Sequence, residues 1–311
     1  MPLRRVGIVG LGLIGASVGL ALRRGTTPPE VVGFDIDREN LHRAARGGSV
    51  DHTCGTLAEV CAGSDLVVLA APVRAILALL PEIAPHVSAN TLVTDTGGTK
   101  AEIVRVGDSV IPRPAAFVGG HPLAGRLTAG VGDANAALFQ GAVYCLTPSP
   151  ITPDWAVDLA THFVESLGAQ PFFLTADEHD ALLAGASHLP YFASAAVVRA
   201  LMTQPSWPEM EQMAAGGFRA ITSLVDADPT MWADVGATNR ENIIRQLDTL
   251  IERLRTIRGM VEAGDDALLG ELQQARDAHR TWLSQRGVAP PQQPGSGAQT
   301  PRRRLRWPWR G

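Results

Sequence analysis

Cysteine is scarce in this 311-residue chain. There are three, Cys54, Cys61 and Cys145, without C-x-x-C spacing, so neither a disulfide framework nor a zinc knuckle is indicated. Lysine is scarcer still: Lys100 is the only one beside 26 arginines. Aromatic residues make up 5 % of the chain, and no run approaches the roughly 18 uninterrupted apolar residues of a membrane span. The start, MPLRRVGIVGLG, leads into a glycine-rich turn in place of a signal cleavage site, so a cytoplasmic protein is expected. The net charge of −4 leaves no basic surplus for nucleic acid, because phosphate contacts need clustered cations. Most of the clustering present is at the end, where Arg302, Arg303, Arg304, Arg306 and Arg310 surround Trp307 and Trp309.

What remains is an apolar fraction of 45 % and a charged fraction of 19 %, ordinary for a folded chain of about two domains. From Leu3 to about Thr175, short apolar runs (VGIVG, VVGFD, DLVVLA, TLVTD, AFVGG, AVYCL, PFFL) alternate with helix-like segments. Such uniformly apolar runs suit strands covered on both faces, so residues 1–175 read as a doubly wound α/β fold with a parallel sheet. From Ala176 helical periodicity takes over through residue 286, with a kink or break expected at Pro190 and interruptions at Gly259 and Gly264. Residues 287–311, rich in Pro, Gly, Gln and Ser before the arginines, read as a flexible tail without stable membrane insertion.

Gly10, Gly12 and Gly15 form G-x-G-x-x-G directly after an apolar run and directly before a helical pattern. Gly10 suits a tight turn, Gly12 lets backbone approach a pyrophosphate, and Gly15 allows the following helix to pack closely. Asp35, twenty residues after Gly15, ends the next run, where a carboxylate accepts from ribose hydroxyls and disfavours a 2′-phosphate. NAD is therefore the expected cofactor, with contacts from Gly10, Gly12, Leu13, Ile14, Gly15, Asp35, Ala71 and Pro72, and no metal is expected. TDTGGTK (94–100) and GGHPLAG (119–125) follow later runs and fall on the same sheet edge. They offer His121 as a candidate catalytic group, and Lys100 as either a catalytic ammonium or half of a structural ion pair.

In order and spacing, these motifs, followed by EHD (178–180), SHLP (187–190), GGFRAIT (216–222) and DPTMW (228–232), resemble the prephenate and arogenate dehydrogenases of tyrosine biosynthesis over residues 5 to 285. The resemblance implies an NAD domain, an all-helical domain that builds a homodimer, and oxidative decarboxylation of a cyclohexadienol. It implies that His121 is the catalytic base, with Thr99, Arg126, His188 and Arg219 near the substrate. The chain departs from the family's pattern where a serine is usual at Gly98, an arginine that grips a substrate carboxylate at Ser223, and a histidine at Tyr191. Arg126, after HPLAG, is the expected compensating cation. These departures leave two alternatives: a paralogue acting on 4-amino-4-deoxyprephenate, and a catalytically silent NAD-binding dimer, against which the retained His121 speaks. The 3-hydroxyacid dehydrogenase and imine reductase groups share the layout but are expected to carry a catalytic lysine or aspartate on the helical domain, and Lys100 precedes it.

Overall fold

The computed structural model describes residues 3–25, 27–124, 131–264 and 266–286. Arg126 and the arginine-rich end lie outside them. Eight strands form one sheet: β1 Arg5–Val9, β2 Glu30–Phe34, β3 His52–Thr53, β4 Leu66–Leu69, β5 Leu92–Asp95, β6 Ala116–Pro122, β7 Val143–Thr147 and β8 Gln170–Phe173. Their spatial order is β3-β2-β1-β4-β5-β6-β7-β8. All neighbouring pairs are parallel except β6 and β7, which run antiparallel with His121 opposite Cys145. The wholly parallel sheet expected from the apolar runs is corrected at that pair. Two-residue β3 is exposed and has no apolar run to announce it.

Helices α1 Leu13–Leu22, α2 Arg38–Arg46, α3 Leu57–Cys61, α4 Val73–Ile83, α5 Ala101–Val110 and α6 Asp154–Ser166 accompany the strands. Alternate residues of each central strand point to opposite faces, as the pleat requires. Val6, Ile8, Leu66 and Val68 pack with Val18, Leu22, Phe163 and Val164 of α1 and α6. Val9, Val67 and Leu69 pack on the other face with Val60, Ile76, Leu80 and Ile103 of α3, α4 and α5. Each such buried aliphatic side chain contributes about 1.5–3 kcal/mol, and the two layers make this half a double sandwich around the sheet.

The remainder is helical: α7 Ala176–Leu183, a π-turn over Ala184–His188, α8 Leu189–Met202, α9 Trp207–Glu211, α10 Gly216–Thr222, α11 Pro229–Thr238, α12 Arg240–Ala263 and α13 Ala267–Gln285. Of the kink or break expected at Pro190, the structure has no break but a local distortion, the π-turn directly before it. The proline sits in the first turn of α8, just after the π-turn, where its missing amide is tolerated and the wider turn absorbs the ring. Gly259 likewise lies inside α12, while Gly264, with φ +63°, follows the last residue of that helix. The chain divides into two compact units after Thr249. In the second, Arg253 pairs with Glu271 at 3.2 Å, between α12 and α13.

Candidate active site

The glycine motif lies where the strand order reverses, between β1 and β4, the position at which open α/β sheets bind ligands. Gly10 has φ +92°, and a Cβ there would stand 2.2 Å from the carbonyl oxygen of Ala70. A Cβ on Gly15 would stand 1.9 Å from the carbonyl oxygen of Gly10. Both positions are closed to any side chain. A Cβ on Gly12, the N-cap of α1, would meet nothing within 4 Å among the described residues, so there is room beside the start of the helix. Leu13 is buried and Ile14 half-buried at that turn.

Asp35 at the end of β2 binds the turn from the other side. Its Oδ2 accepts from the Leu11 amide at 2.7 Å and its Oδ1 from the Asp37 amide at 2.8 Å. Oδ2 also accepts from the Asn40 side-chain amide at 3.4 Å, so it is Oδ1 that retains a lone pair for a hydroxyl ligand. Beside it, Ile36 is 93 % exposed, a bare apolar side chain at the lip of the crevice. Ala71 and Pro72 follow β4, and Pro72 caps α4. The residues at this edge therefore fit a dinucleotide: a helix N-terminus with room for a pyrophosphate, a carboxylate for a ribose and an apolar surface for a base.

The TDTGGTK and GGHPLAG segments reach the same edge on β5 and β6. Asp95 closes β5 and gathers the surrounding loops: it accepts from the amides of Gly97 at 2.8 Å and Gly120 at 3.0 Å, and pairs with the Lys100 ammonium. Both members of that pair are fully buried, so Lys100 is half of a structural ion pair. Burial draws its pKa below the ordinary lysine value, against the pull of Asp95.

His121, one residue beyond Gly120, points at the helical half. Its Nδ1 lies 2.9 Å from Nε2 of His179 on α7, with the rings edge-on at 5.1 Å. Nδ1 of His179 in turn lies 2.8 Å from Oδ1 of Asp180. Asp180 accepts from the amides of Lys100 at 2.7 Å and Ala101 at 2.9 Å, so it caps α5 from a distant part of the chain. Burial, then the neighbouring His179, Lys100 and His188, hold the His121 pKa well below its ordinary value, and the ring is neutral at pH 7. His179 is lowered too, chiefly by burial.

Of the residues expected near the substrate, Thr99 is buried with its hydroxyl 2.8 Å from that of Thr238 on α11. Thr238 is itself 2.8 Å from the Asp234 carbonyl. A hydroxyl has one proton, so with Thr238 donating to that carbonyl, Thr99 donates to Thr238 and keeps only acceptor capacity. His188 is buried at the end of the π-turn. Its Nδ1 accepts from Asn239 at 3.1 Å, it hydrogen-bonds the backbone of Gly98, and burial pushes its pKa down to about 4. Arg219 stands exposed on α10 and meets no carboxylate among the described residues.

The departures also find physical settings. A Cβ on Gly98 would meet only Val235, at an ordinary 3.5 Å, so a side chain would fit there. The Ser223 hydroxyl turns back to the Ala220 carbonyl at 3.2 Å. Tyr191 stacks on Trp232 at 4.0 Å, nearly parallel. Sequence reasoning missed the roles of His179, Asp180, Asn239 and Asp95. For EHD a signal existed: Glu178 completes a capping box with Thr175, which consumes one acid of the motif and leaves the adjacent His-Asp pair without a local task.

The model of the prephenate dehydrogenase nucleotide-binding domain matches residues 18–172, and that of the prephenate dehydrogenase dimerization domain matches residues 175–274. The chain is 33 % identical over 260 residues to prephenate dehydrogenase of Bacillus subtilis, covering 83 % of this chain and 70 % of that protein. The chain belongs to the prephenate dehydrogenase family. Two solved members are similar throughout: A. aeolicus prephenate dehydrogenase in complex with hydroxyphenyl propionate and NAD+ (TM-score 0.84, 26 % identity, 90 % of this chain and 99 % of that one) and Synechocystis arogenate dehydrogenase (TM-score 0.76, 26 % identity, 89 % and 99 %). Family membership makes the chain an NAD-dependent oxidoreductase and agrees with the α/β fold followed by helices.

Proposed function

We propose that the chain catalyses NAD-dependent oxidative decarboxylation of prephenate or arogenate in tyrosine biosynthesis. The observation that carries this reading is His121: a neutral, part-buried imidazole on the same sheet edge as the dinucleotide turn, held through Nδ1 and with no partner at Nε2 among the described residues.

Bound NAD would accept the hydride from the ring carbon that bears the hydroxyl. The task left to the protein is to take the hydroxyl proton, and a neutral imidazole does this, a contribution of about 100- to 10,000-fold. Loss of the ring carboxylate then yields an aromatic ring, and that gain drives the reaction without a metal. Gly10, Gly12, Leu13, Ile14 and Gly15 would hold the pyrophosphate, Asp35 the ribose, Ile36 the base, and Ala71 and Pro72 the cofactor's flank. Thr99 and His188 would shape the substrate end, and Arg126 and Arg219 are the candidate carboxylate grips. We assign residues 1–175 to cofactor binding, 176–286 to the helical, dimer-forming part and 287–311 to a basic tail, in a cytoplasmic homodimer.

Gly98 and Ser223 favour a second reading, in which the ring carries an amino group as in 4-amino-4-deoxyprephenate, because both positions lack the polar group usual in the family. NADH formation by the purified protein with prephenate, arogenate and 4-amino-4-deoxyprephenate separates the two. Turnover of prephenate or arogenate above the third substrate is expected. Tight NAD binding without turnover of any of them would leave only a silent dimer.

A further inference from the structure

We propose that His179 and Asp180 are positioning residues that fix His121 in the tautomer with an unprotonated Nε2 and stabilise the cation formed when that nitrogen takes the substrate proton. This rests on the reading of His121 as the base and adds to it how that base is made competent.

The direction of the hydrogen bonds decides the tautomer. Asp180 caps the ten-residue α5, accepting two backbone amides at the positive end of the helix, and a carboxylate in that setting donates nothing. The bond between Asp180 and His179 must therefore be donated by Nδ1 of His179. A neutral His179 then has only a lone pair at Nε2, so the 2.9 Å contact must be donated by Nδ1 of His121. That leaves Nε2 of His121 bare. The row has one polarity, set at its far end by a group that cannot reverse it, and the second nitrogen of a working imidazole is held in this way at many catalytic and metal sites.

The same row answers an electrostatic problem. Burial opposes a positive ring on His121, as do the Lys100 ammonium before α5 and the protonated forms of His179 on α7 and His188 in the π-turn before α8, whereas neutral His179 presents Nε2 as an acceptor. His179 is faced by Lys100, Asp95 and Asp180. Asp95 is committed to Lys100 and to the amides of Gly97 and Gly120. Asp180 is the counter-charge that His121 reaches through hydrogen bonds. When the substrate O–H bond breaks and an N–H bond forms at Nε2, Nδ1 keeps its proton and donates more strongly to His179, which donates more strongly to Asp180. No proton need leave the row during the step, and the proton on Nε2 returns to solvent when the product departs.

Nitrogen-15 NMR of ring-labelled histidine in the wild-type protein, without substrate, reads the tautomer directly. A protonated Nδ1 and bare Nε2 on His121 are expected, and the opposite tautomer overturns the proposal. His179→Gln retains an acceptor near the Nε2 position, whereas His179→Phe has none. The phenylalanine variant is expected to lose about 100-fold in kcat on prephenate or arogenate, with KM little changed and the acid limb of kcat/KM moved to lower pH. The glutamine variant should recover part of both. A fall in kcat with the acid limb unmoved, or a change confined to KM, would reduce His179 to a packing role. Should the wild type have the expected tautomer but turn over no cyclohexadienol, the reading of function fails while the fixed tautomer stands.

Discussion

The sheet half and the helical half bury their apolar residues very differently. Val6, Ile8, Leu66, Val68 and Leu92 are wholly inaccessible, and helices cover both faces of the sheet. In the helical half the core cluster is Ala184, Val235 and Ile243, while Leu182, Met202, Ile221 and Ile244 stand 45 % to 56 % exposed. The run from Ala176 to Met202 reaches a mean hydropathy of 1.4 over its most apolar window, yet 28 % of that window is buried. One half closes its own core. The other is built to be covered, in agreement with the dimerization-domain model it matches. His121, the proposed base, sits on the self-sufficient half and meets His179 on the half that is not.

The hardest blow to this contrast would be a monomer. Sedimentation at micromolar concentration is expected to give twice the mass of the chain, and dilution to monomer should melt the helical half first; a stable monomer would mean that its bare apolar faces need no cover. On the sheet side, Lys100→Met strands Asp95 in the core, and a loss of about 3–5 kcal/mol in denaturant unfolding is expected. At the seam, His121→Gln should lower kcat by about 100- to 10,000-fold while NAD affinity, measured by calorimetry, holds. Retained turnover would remove the base from the mechanism.

Acid probes the seam in a second way. His188 is depressed to about 4, and His121 and His179 are lowered as well. The unfolded chain takes up these protons near pH 6.5 and the fold does not, so stability is full above about pH 6.5 and is lost as pH falls toward 4. For His188 alone the loss is on the order of 3 kcal/mol, at about 1.4 kcal/mol per pKa unit. A melting temperature flat between pH 7 and 4.5 would contradict it. The smallest effect separates neighbours in one motif. Gly12→Ala, with open space around it, should leave the melting temperature unchanged and weaken NAD binding about tenfold, roughly 1.4 kcal/mol. Gly15→Ala should destabilise the fold itself.

The sequence made the sheet half legible because burial on both faces writes an unbroken apolar run. It failed at β3, which has two exposed residues, and at the antiparallel turn into β7, since an apolar run does not encode direction. His121 was legible from its place after a strand and from the family motif. His179 and Asp180 were not: their significance comes from contacts with residues 58 to 80 positions away, and no local pattern records such a pairing. Lys100 was half legible, its rarity marking a special position without telling an ion pair from a catalyst. Pro190 marked the irregular place but not its form: the distortion is a π-turn, which a 3.6-residue period does not reveal.

That Asp180 closes the first turn of α5 bears on where this protein can be cut. A fragment ending at Thr175 would keep every strand, every glycine of the dinucleotide turn and His121. It would nonetheless leave the amides of Lys100 and Ala101 facing water and set the imidazole free to swap its proton between nitrogens. The border that composition suggests is crossed by the hydrogen bonds that link Asp180 to α5 and His179 to His121, so dividing the chain there would separate His121 from the partners proposed to orient it.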